Sequence, residues 1–352
     1  MKSLMKTLRA AGKKPRIHET GDGTRLLVLP YGARVLGLYA KDNDLNFYWV
    51  NPELRNHESA KALFAGEGWH NTGGDRTWLA PELDIFFPDY PDVRRHWEPP
   101  QLDASEYVTK AGRGVLSLRR KMALHLARPN RAAELELTKT LGPAPNPVRY
   151  ERRLAQHLET VEYAGYTLRT QVRLLGETAE KPVPLGIWNL VQLPWGGEML
   201  APTYSKTRPR ILFGEIPSEN LVCTDRLVRF RVALKGEQKL ALRAVATTGR
   251  TGYAYEMGSQ RALVIRNFMV NPSGAYVDVP KDEPEDFGYS VNAVNVKSGL
   301  GDFCEMEYHA PALGHDMESA LATDISQIWA FRGRPDDIDV VARELLGSGL
   351  FE

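Results

Sequence analysis

Cysteine is scarce in this chain of 352 residues, which contains only Cys223 and Cys304, far apart in the sequence. Their spacing supports neither a disulfide framework nor a zinc site. The first residues, Met1 to His18, carry several Lys and Arg but no apolar core of a secretory signal. We therefore expect a cytoplasmic protein, unless a signal peptide has already been removed.

An excess of positive charge is also missing. The chain has 45 Lys and Arg against 44 Asp and Glu, which gives a formal net charge of +1. Without a basic block or stripe, binding to nucleic acid or to an anionic membrane is not expected. The chain also lacks a run of about 18 apolar residues, so no membrane-spanning helix is expected. The oligomeric state stays undetermined.

Amphipathic helical patterns are few. Residues 3–11 and Glu58–Phe64 each predict a short helix, and Pro335–Gly347 predicts a C-terminal helix, with acidic residues in its first turn and Gly at its end. No repeat of 20–50 residues and no linker composition is present. The helical crossovers that parallel strands require are therefore missing.

Alternation with period two fills most of the chain instead and predicts strands with one buried and one solvated face. We expect antiparallel sheets that form one large β-sandwich over residues 1–352, with a short C-terminal helix. The predicted strands include Tyr166–Leu174, Val228–Leu234, Leu26–Leu29, Val35–Tyr39, Asn46–Val50, Val115–Leu118, Glu134–Thr140, Leu240–Ala246, Leu263–Val270, Ala275–Val279 and Gln327–Phe331.

One segment, Gly66–Glu82, concentrates glycine, tryptophan, histidine and charged residues in what we interpret as a single loop. Glycines allow close backbone approach, indoles offer flat apolar faces with one polar edge, and charged side chains strengthen hydrogen bonds. A sugar ring is bound by that combination. The alternative is a tight turn between strands, with both tryptophans in the core.

Two further segments bear on function, Lys181–Gly197 and Gly301–Pro311. If the latter is a strand, Glu305, Glu307 and His309 share one face, and the apolar residues between them share the other. Carboxylates ~6.5–7 Å apart along a strand repel, which raises the pKa of one of them and suits it to acid–base work. The alternative is an ordinary solvated strand face.

Short motifs in all three segments resemble the galactose mutarotase-like superfamily, which includes aldose 1-epimerases and uncharacterised sugar-binding families. The matching stretches are Thr72-Gly73-Gly74, Pro182–Leu190 and Cys304-Glu305-Met306-Glu307. The resemblance implies a large antiparallel β-supersandwich whose concave face holds a sugar.

This sequence departs from the epimerase motifs at the residues that carry the chemistry. The early substrate-binding histidine of the family falls on Thr72, and its general-acid histidine falls on Trp188. Its glutamate base falls between Glu305 and Glu307. The run from Gly73 to Glu82 is more similar to the uncharacterised relatives.

Mutarotation needs a base for the anomeric hydroxyl and an acid for the ring oxygen. We expect the base to be Glu305 or Glu307, and the acid to be His70 or His309. Further side chains would stack on the sugar or hydrogen-bond its hydroxyls, namely Trp69, Asp75, Arg76, Trp78, Trp188 and Gln192. No ligand spacing indicates a metal, and we expect no metal and no cofactor.

Three functions fit these residues. The first is a carbohydrate-active protein that binds a small sugar or an oligosaccharide, in its most concrete form an aldose 1-epimerase-like isomerase. The second is a non-catalytic sugar-binding or sugar-sensing protein, which Trp188 in place of histidine favours. The third is a lyase or glycoside hydrolase that uses the glutamates on the same scaffold.

Overall fold

Two large antiparallel sheets form the protein, as the alternating patterns predict. The computed structural model describes residues 1–314 and 319–350. One sheet has nine strands and the other ten, and all the pairings between their strands are antiparallel. The predicted fold class, a large antiparallel β-sandwich with a short C-terminal helix, is confirmed.

The nine-stranded sheet holds, in spatial order, β1 (Arg16–Glu19), β2 (Arg25–Leu29), β3 (Arg34–Tyr39), β4 (Asp75–Ala80), β9 (Gly186–Pro194), β18 (Gly301–His309), β17 (Val291–Ser298), β14 (Gly236–Leu242) and β11 (Arg210–Phe213). The ten-stranded sheet holds β12 (Leu221–Cys223), β13 (Leu227–Arg231), β10 (Glu198–Pro202), β15 (Arg250–Met257), β16 (Gln260–Phe268), β19 (Leu321–Gly333), β8 (Glu162–Leu174), β7 (Arg131–Pro143), β6 (Val115–Leu126) and β5 (Val108–Gly112).

The helices are short and lie outside the sheets. They are α1 (Lys2–Ala10), α2 (His57–Ala65), α3 (Glu82–Ile85), α4 (Pro100–Asp103), α5 (Ala155–Leu158), α6 (Gly176–Glu180) and α7 (Pro335–Leu346), with 3-10 turns at Pro52–Arg55, Arg152–Leu154 and Ser218–Asn220. The three predicted helices are confirmed in α1, α2 and α7. None of the helices in the described ranges combines the length and the apolar character that a membrane span needs.

The C-terminal helix covers the outer face of the ten-stranded sheet. Pro335 opens the helix, and Gly347 ends it in the left-handed conformation at φ 71°. Its buried side chains, Ile338 and Val341 among them, pack on strands of that sheet. On the outer face of the nine-stranded sheet, α1 and α2 pack over β2 and β3, and a cavity lies over the strands from β4 to β14.

Two predicted strands are wrong. Asn46–Val50 is not a strand, because the Asn46 side chain accepts from the Leu38 amide and donates to the Leu36 carbonyl, and thus takes the place of ladder bonds. Ala275–Val279 is irregular, since Pro280 follows it directly and the Tyr276 hydroxyl bonds back to Asn271. Most other predicted strands are confirmed, several of them longer than the pattern indicated.

The segment Gly66–Glu82 is not one loop, because its second half is β4, a strand inside the nine-stranded sheet. Gly73 and Gly74 turn the chain into this strand at φ 89° and 76°. A Cβ on Gly74 would lie 2.2 Å from the Val35 carbonyl oxygen, so only glycine fits there. The glycines therefore place β4 against its neighbours.

The space between the sheets is mainly apolar but also holds buried charges. Asp75 on β4 points into it, where Asp75 Oδ2 accepts from the Tyr166 hydroxyl at 2.7 Å and from Arg266. The Lys139 ammonium lies 3.9 Å from Asp75 Oδ1. These charges link the two sheets, because Asp75 belongs to one and its partners to the other.

Candidate functional site

A cavity of about 830 Å³ lies on the outer face of the nine-stranded sheet. Its floor is formed by side chains from β4, β9, β18, β17 and β14, and its walls by residues 82–98, which begin with α3, and by residues 278–282. Alternation along each strand decides which residues reach it. On β4, Arg76 and Trp78 line the cavity, whereas Asp75 points into the opposite layer.

Strand register brings distant residues into rows across the floor. Glu305 is paired with Gln192 on one side and with Val294 on the other, and Val294 is paired with Lys239. The next row contains Arg76 and Glu307. Glu305 and Glu307 thus share one face of β18, as the alternation predicts.

Glu305 is held as a carboxylate. Arg76 Nη2 donates to Glu305 Oε1 at 2.7 Å, and Gln192 Nε2 donates to the same oxygen at 2.9 Å. Burial alone would raise the pKa of Glu305, but the Arg76 charge and these hydrogen bonds outweigh it and lower the pKa below its ordinary value.

The surroundings of Glu307 favour the opposite protonation state, the neutral carboxylic acid. Trp188 Nε1 donates to Glu307 Oε2 at 3.1 Å, and the Lys239 ammonium lies 3.3 Å from that oxygen. Burial, followed by the nearby Glu305 charge, raises the pKa of Glu307 to about 8 against the opposing charge of Lys239. The two carboxyl groups are neighbours on one face of β18, and each of them shifts the pKa of the other.

The tryptophans beside this pair are fixed by one buried carboxylate. Asp103 accepts from Trp78 Nε1 at 2.8 Å and from Trp69 Nε1 at 3.1 Å, and Arg34 holds it with bonds of 2.6 and 2.8 Å. The Arg76 guanidinium lies 4.2 Å from the ring centre of Trp78 and 5.1 Å from that of Trp69. Asp103 therefore positions the rings that pack against Arg76.

A second charged group forms one wall. Glu82 lies 3.5 Å from His96 Nε2 and 3.9 Å from the Lys239 ammonium. Burial would raise the pKa of Glu82, but Lys239 and His96 lower it to about 2. Burial, together with the Glu82 charge, raises the pKa of the adjacent Asp278 to about 6.

His96 completes this wall between two carboxylates, with Glu98 3.2 Å from its Nδ1. Burial disfavours its charged form, but the bonds to Glu82 and Glu98 prevail and raise the pKa of His96 to about 9. His96 therefore carries a positive charge at neutral pH, and that charge is neutralised by its two partners.

Neither histidine predicted as an acid points freely into the cavity. His309 is buried with its ring stacked on Trp188 at 5.2 Å, and burial lowers the pKa of His309 to about 3. His70 Nε2 bonds to the Gly66 carbonyl at 2.9 Å, and its Nδ1 bonds to the Tyr31 hydroxyl at 2.6 Å. His70 lines a neighbouring cavity instead.

The structure thus brings together eight of the residues predicted from sequence, six on the cavity lining and two beside it. Arg76, Trp69, Trp78, Trp188, Glu305 and Glu307 line the cavity, Gln192 donates to Glu305 from the adjacent strand, and His309 stacks on Trp188. Asp75 and His70 lie elsewhere.

Sequence reasoning missed Lys239, His96, Asp278 and Asp103. Lys239 shares its strand face with Glu237 and Ala241, a pattern typical of a solvated face, and the other three lie outside strands. No sequence signal could have found them. Within the described part of the chain, no group of three or more His, Cys, Asp or Glu side chains is arranged to hold a metal ion.

The chain is similar to several solved structures. A galactose mutarotase related enzyme from Lactobacillus acidophilus matches with a TM-score of 0.48 and 9% identity, over 90% of this chain and 96% of that one. A GalM/aldose epimerase homologue from C. elegans matches with a TM-score of 0.43 and 8% identity, over 92% and 99%. Galactose 1-epimerase from Lactobacillus acidophilus matches with a TM-score of 0.41 and 9% identity, over 91% and 94%.

These structures carry names from the group that the three sequence motifs resemble. No curated protein sequence matches the chain. A family description does match it over almost its whole length, from residue 4 to residue 352. The chain belongs to the family of unknown function DUF6786.

Proposed function

We propose that this protein binds an uncharged sugar in the large cavity and interconverts its anomers, as an aldose 1-epimerase-like isomerase. The observation that carries the proposal is the carboxyl pair on the cavity floor. Glu305 and Glu307 line the cavity from one face of β18, and their pKa values are displaced in opposite directions. Two carboxyl groups with separated pKa values supply one proton acceptor and one proton donor at neutral pH.

Each carboxyl group has its own role in the proposed reaction. The Glu305 carboxylate removes the proton of the anomeric hydroxyl, and the electron pair of that O–H bond forms the aldehyde C=O. The bond between the anomeric carbon and the ring oxygen breaks, and the ring oxygen takes the Glu307 proton. After the open chain rotates, closure on the other face reverses both proton transfers.

The charges in the cavity favour an uncharged ligand. Arg76 is paired with Glu305, and Lys239 lies 3.3 Å from Glu307 and 3.9 Å from Glu82. Seven lining residues are Asp or Glu and only three are Lys or Arg. A phosphate or a carboxylate on the sugar would therefore meet net negative charge and no unpaired buried cation.

A second candidate is sugar binding without turnover. The observation that favours it is the bond from Trp188 Nε1 to Glu307. Trp188 takes the position at which the epimerase motif has its acid histidine, and an indole N–H does not release a proton at neutral pH. If the protein only binds sugar, the same cavity and aromatic rings hold it, and the carboxyl pair accepts hydrogen bonds from the sugar hydroxyls without transferring protons.

Anomer interconversion followed by NMR separates the two candidates. We expect wild-type protein to accelerate equilibration of pure anomers of glucose or galactose, and Glu305→Gln and Glu307→Gln each to lower the rate ~10²–10⁴-fold. The matched control is Glu237→Gln, an exposed glutamate at the rim of the same cavity. It should retain the wild-type rate.

Two outcomes would contradict the isomerase. If wild-type protein binds the sugar but equilibrates it no faster than buffer, the protein is a binding protein. If it accelerates equilibration and both glutamine variants do so equally well, the chemistry belongs to other residues.

A further inference from the structure

A second cavity of about 510 Å³ adjoins the proposed sugar site, and the function proposed above does not use it. Trp69, His96 and Glu98 line both cavities, so the two meet along one shared wall. The loop that begins at Gly66 contributes to the second cavity through Glu67, Gly68 and His70.

Fixed side chains form the back of this second cavity. The Gly66 carbonyl can only accept, so His70 Nε2 carries a hydrogen and donates to it. The Tyr31 hydroxyl then donates to His70 Nδ1, and the rings of Tyr31 and His70 stack at 5.9 Å. Both ring nitrogens of His70 are thereby used in hydrogen bonds, so this histidine forms part of the cavity wall.

Apolar ring surface remains available on the open side. Trp97 is 36% exposed and lines the second cavity, and hydrogen bonding of its backbone amide to the Phe86 carbonyl at 2.8 Å fixes its place. Trp69 offers a half-buried ring on the shared wall. Flat apolar rings beside the carboxylates Glu67 and Glu98, with no Lys or Arg among the lining residues, suit an uncharged sugar unit.

We infer that the second cavity binds a second sugar unit, so the substrate is a reducing oligosaccharide of at least two uncharged units. This inference rests on the proposed function. Because mutarotation requires a free anomeric carbon at Glu305 and Glu307, the reducing unit occupies the large cavity. The non-reducing unit then crosses the wall at Trp69 and stacks on Trp97.

The test compares binding of monosaccharides and of disaccharides that contain them. Dissociation constants are measured by calorimetry for glucose, galactose, maltose, cellobiose and lactose, with the full-length protein. We expect at least one disaccharide to bind about tenfold more tightly than its monosaccharides, which corresponds to one additional stacked ring. Trp97→Ala should remove that advantage and leave the monosaccharide constants unchanged.

A second variant blocks the second cavity and leaves the large cavity unchanged. A Cβ on Gly68 would meet nothing within 4 Å, so Gly68→Trp can extend a ring into the second cavity. It should also abolish the disaccharide advantage. The matched control is Tyr150→Ala, because Tyr150 is an aromatic residue 80% exposed outside both cavities, and this variant should behave as wild type.

Failure of the inference differs from failure of the proposed function. If monosaccharides bind and no disaccharide binds more tightly, the inference is overturned and the proposed function stands. The inference is equally overturned if a disaccharide advantage survives both Trp97→Ala and Gly68→Trp. If no sugar of either kind binds, the proposed function falls and the inference falls with it.

Discussion

The indole Nε1 of Trp188 donates a hydrogen bond to Glu307 Oε2 at 3.1 Å. His309 stacks on the same indole at 5.2 Å and holds it in place from the other side. Trp188 thus fixes a carboxyl group whose pKa is raised by burial to about 8. The proposed proton donor is therefore Glu307, and Trp188 serves to position it.

The stability of the protein should depend on the protonation of Glu307. Its pKa rises from an ordinary 4.5 to about 8 in the folded state, which holds this proton more tightly than the unfolded chain does. This contribution to stability is complete below pH 4.5 and is lost as the pH rises through about 8. Glu307→Gln should therefore lose less stability than wild type between about pH 5.5 and pH 8.5.

Urea denaturation of both proteins at the two pH values measures this difference. The exposed rim variant Glu237→Gln is the control and should show the wild-type dependence on pH. The same dependence in Glu307→Gln and wild type would contradict a raised pKa at Glu307.

Asp103 should contribute far more to stability than a surface carboxylate. Asp103→Asn removes the charge that Arg34, Trp69 and Trp78 all bind, and leaves the buried Arg34 guanidinium without its partner. We expect the free energy of unfolding to fall by ~3–5 kcal/mol. The control is Asp302→Asn, which breaks an exposed pair with Lys297 and should cost less than ~1 kcal/mol. Equal urea midpoints for the two variants would refute the assigned role.

Asp75 and Arg76 are neighbours in sequence, yet we expect their substitutions to have different consequences. Asp75→Asn leaves Arg266 and Lys139 buried without a carboxylate and should cost ~3–5 kcal/mol of stability, with the sugar dissociation constant of the folded protein unchanged. Arg76→Met leaves Glu305 without its cation, so the pKa of Glu305 should rise.

Under the proposed mechanism, Arg76→Met therefore lowers turnover at neutral pH by at least about tenfold, because a smaller fraction of Glu305 is ionised and able to accept a proton at that pH. Chemical denaturation and calorimetric titration of both variants distinguish the two roles. Loss of sugar affinity in folded Asp75→Asn would place Asp75 at the site after all.

Gly74 should tolerate no side chain. It adopts φ 76°, and a Cβ there would lie 2.2 Å from the Val35 carbonyl oxygen on the adjoining strand. We expect Gly74→Ala to destabilise the protein by more than ~2 kcal/mol, because the cost of a positive φ for alanine adds to the cost of the clash with the Val35 carbonyl. Gly68→Ala, in open space at the other end of the same segment, should stay within ~1 kcal/mol of wild type. Thermal unfolding of both variants gives the comparison.

Local sequence patterns were enough to predict the fold class and one face of the site. Period-two alternation forces one side of a strand into the core, and for Gly301–His309 this puts Glu305 and Glu307 together on the other side. It also predicted the three helices, because capping residues and apolar spacing are local signals. The tryptophans that line the cavity were also predicted from a local signal, their concentration in short glycine-rich segments.

Which charged side chains meet depends on the pairing of strands that are distant in sequence. Lys239 reaches Glu307 because β14, β17 and β18 pair in one register, and strand register between distant segments is not encoded in any one of them. Asp75 and Arg76 separated for a related reason: the pairing of β4 inside the sheet sends alternate side chains to opposite layers. The opposite pKa shifts of Glu305 and Glu307 follow from those contacts. The pKa of a side chain is set by the groups around it in space, and these are not its neighbours in sequence.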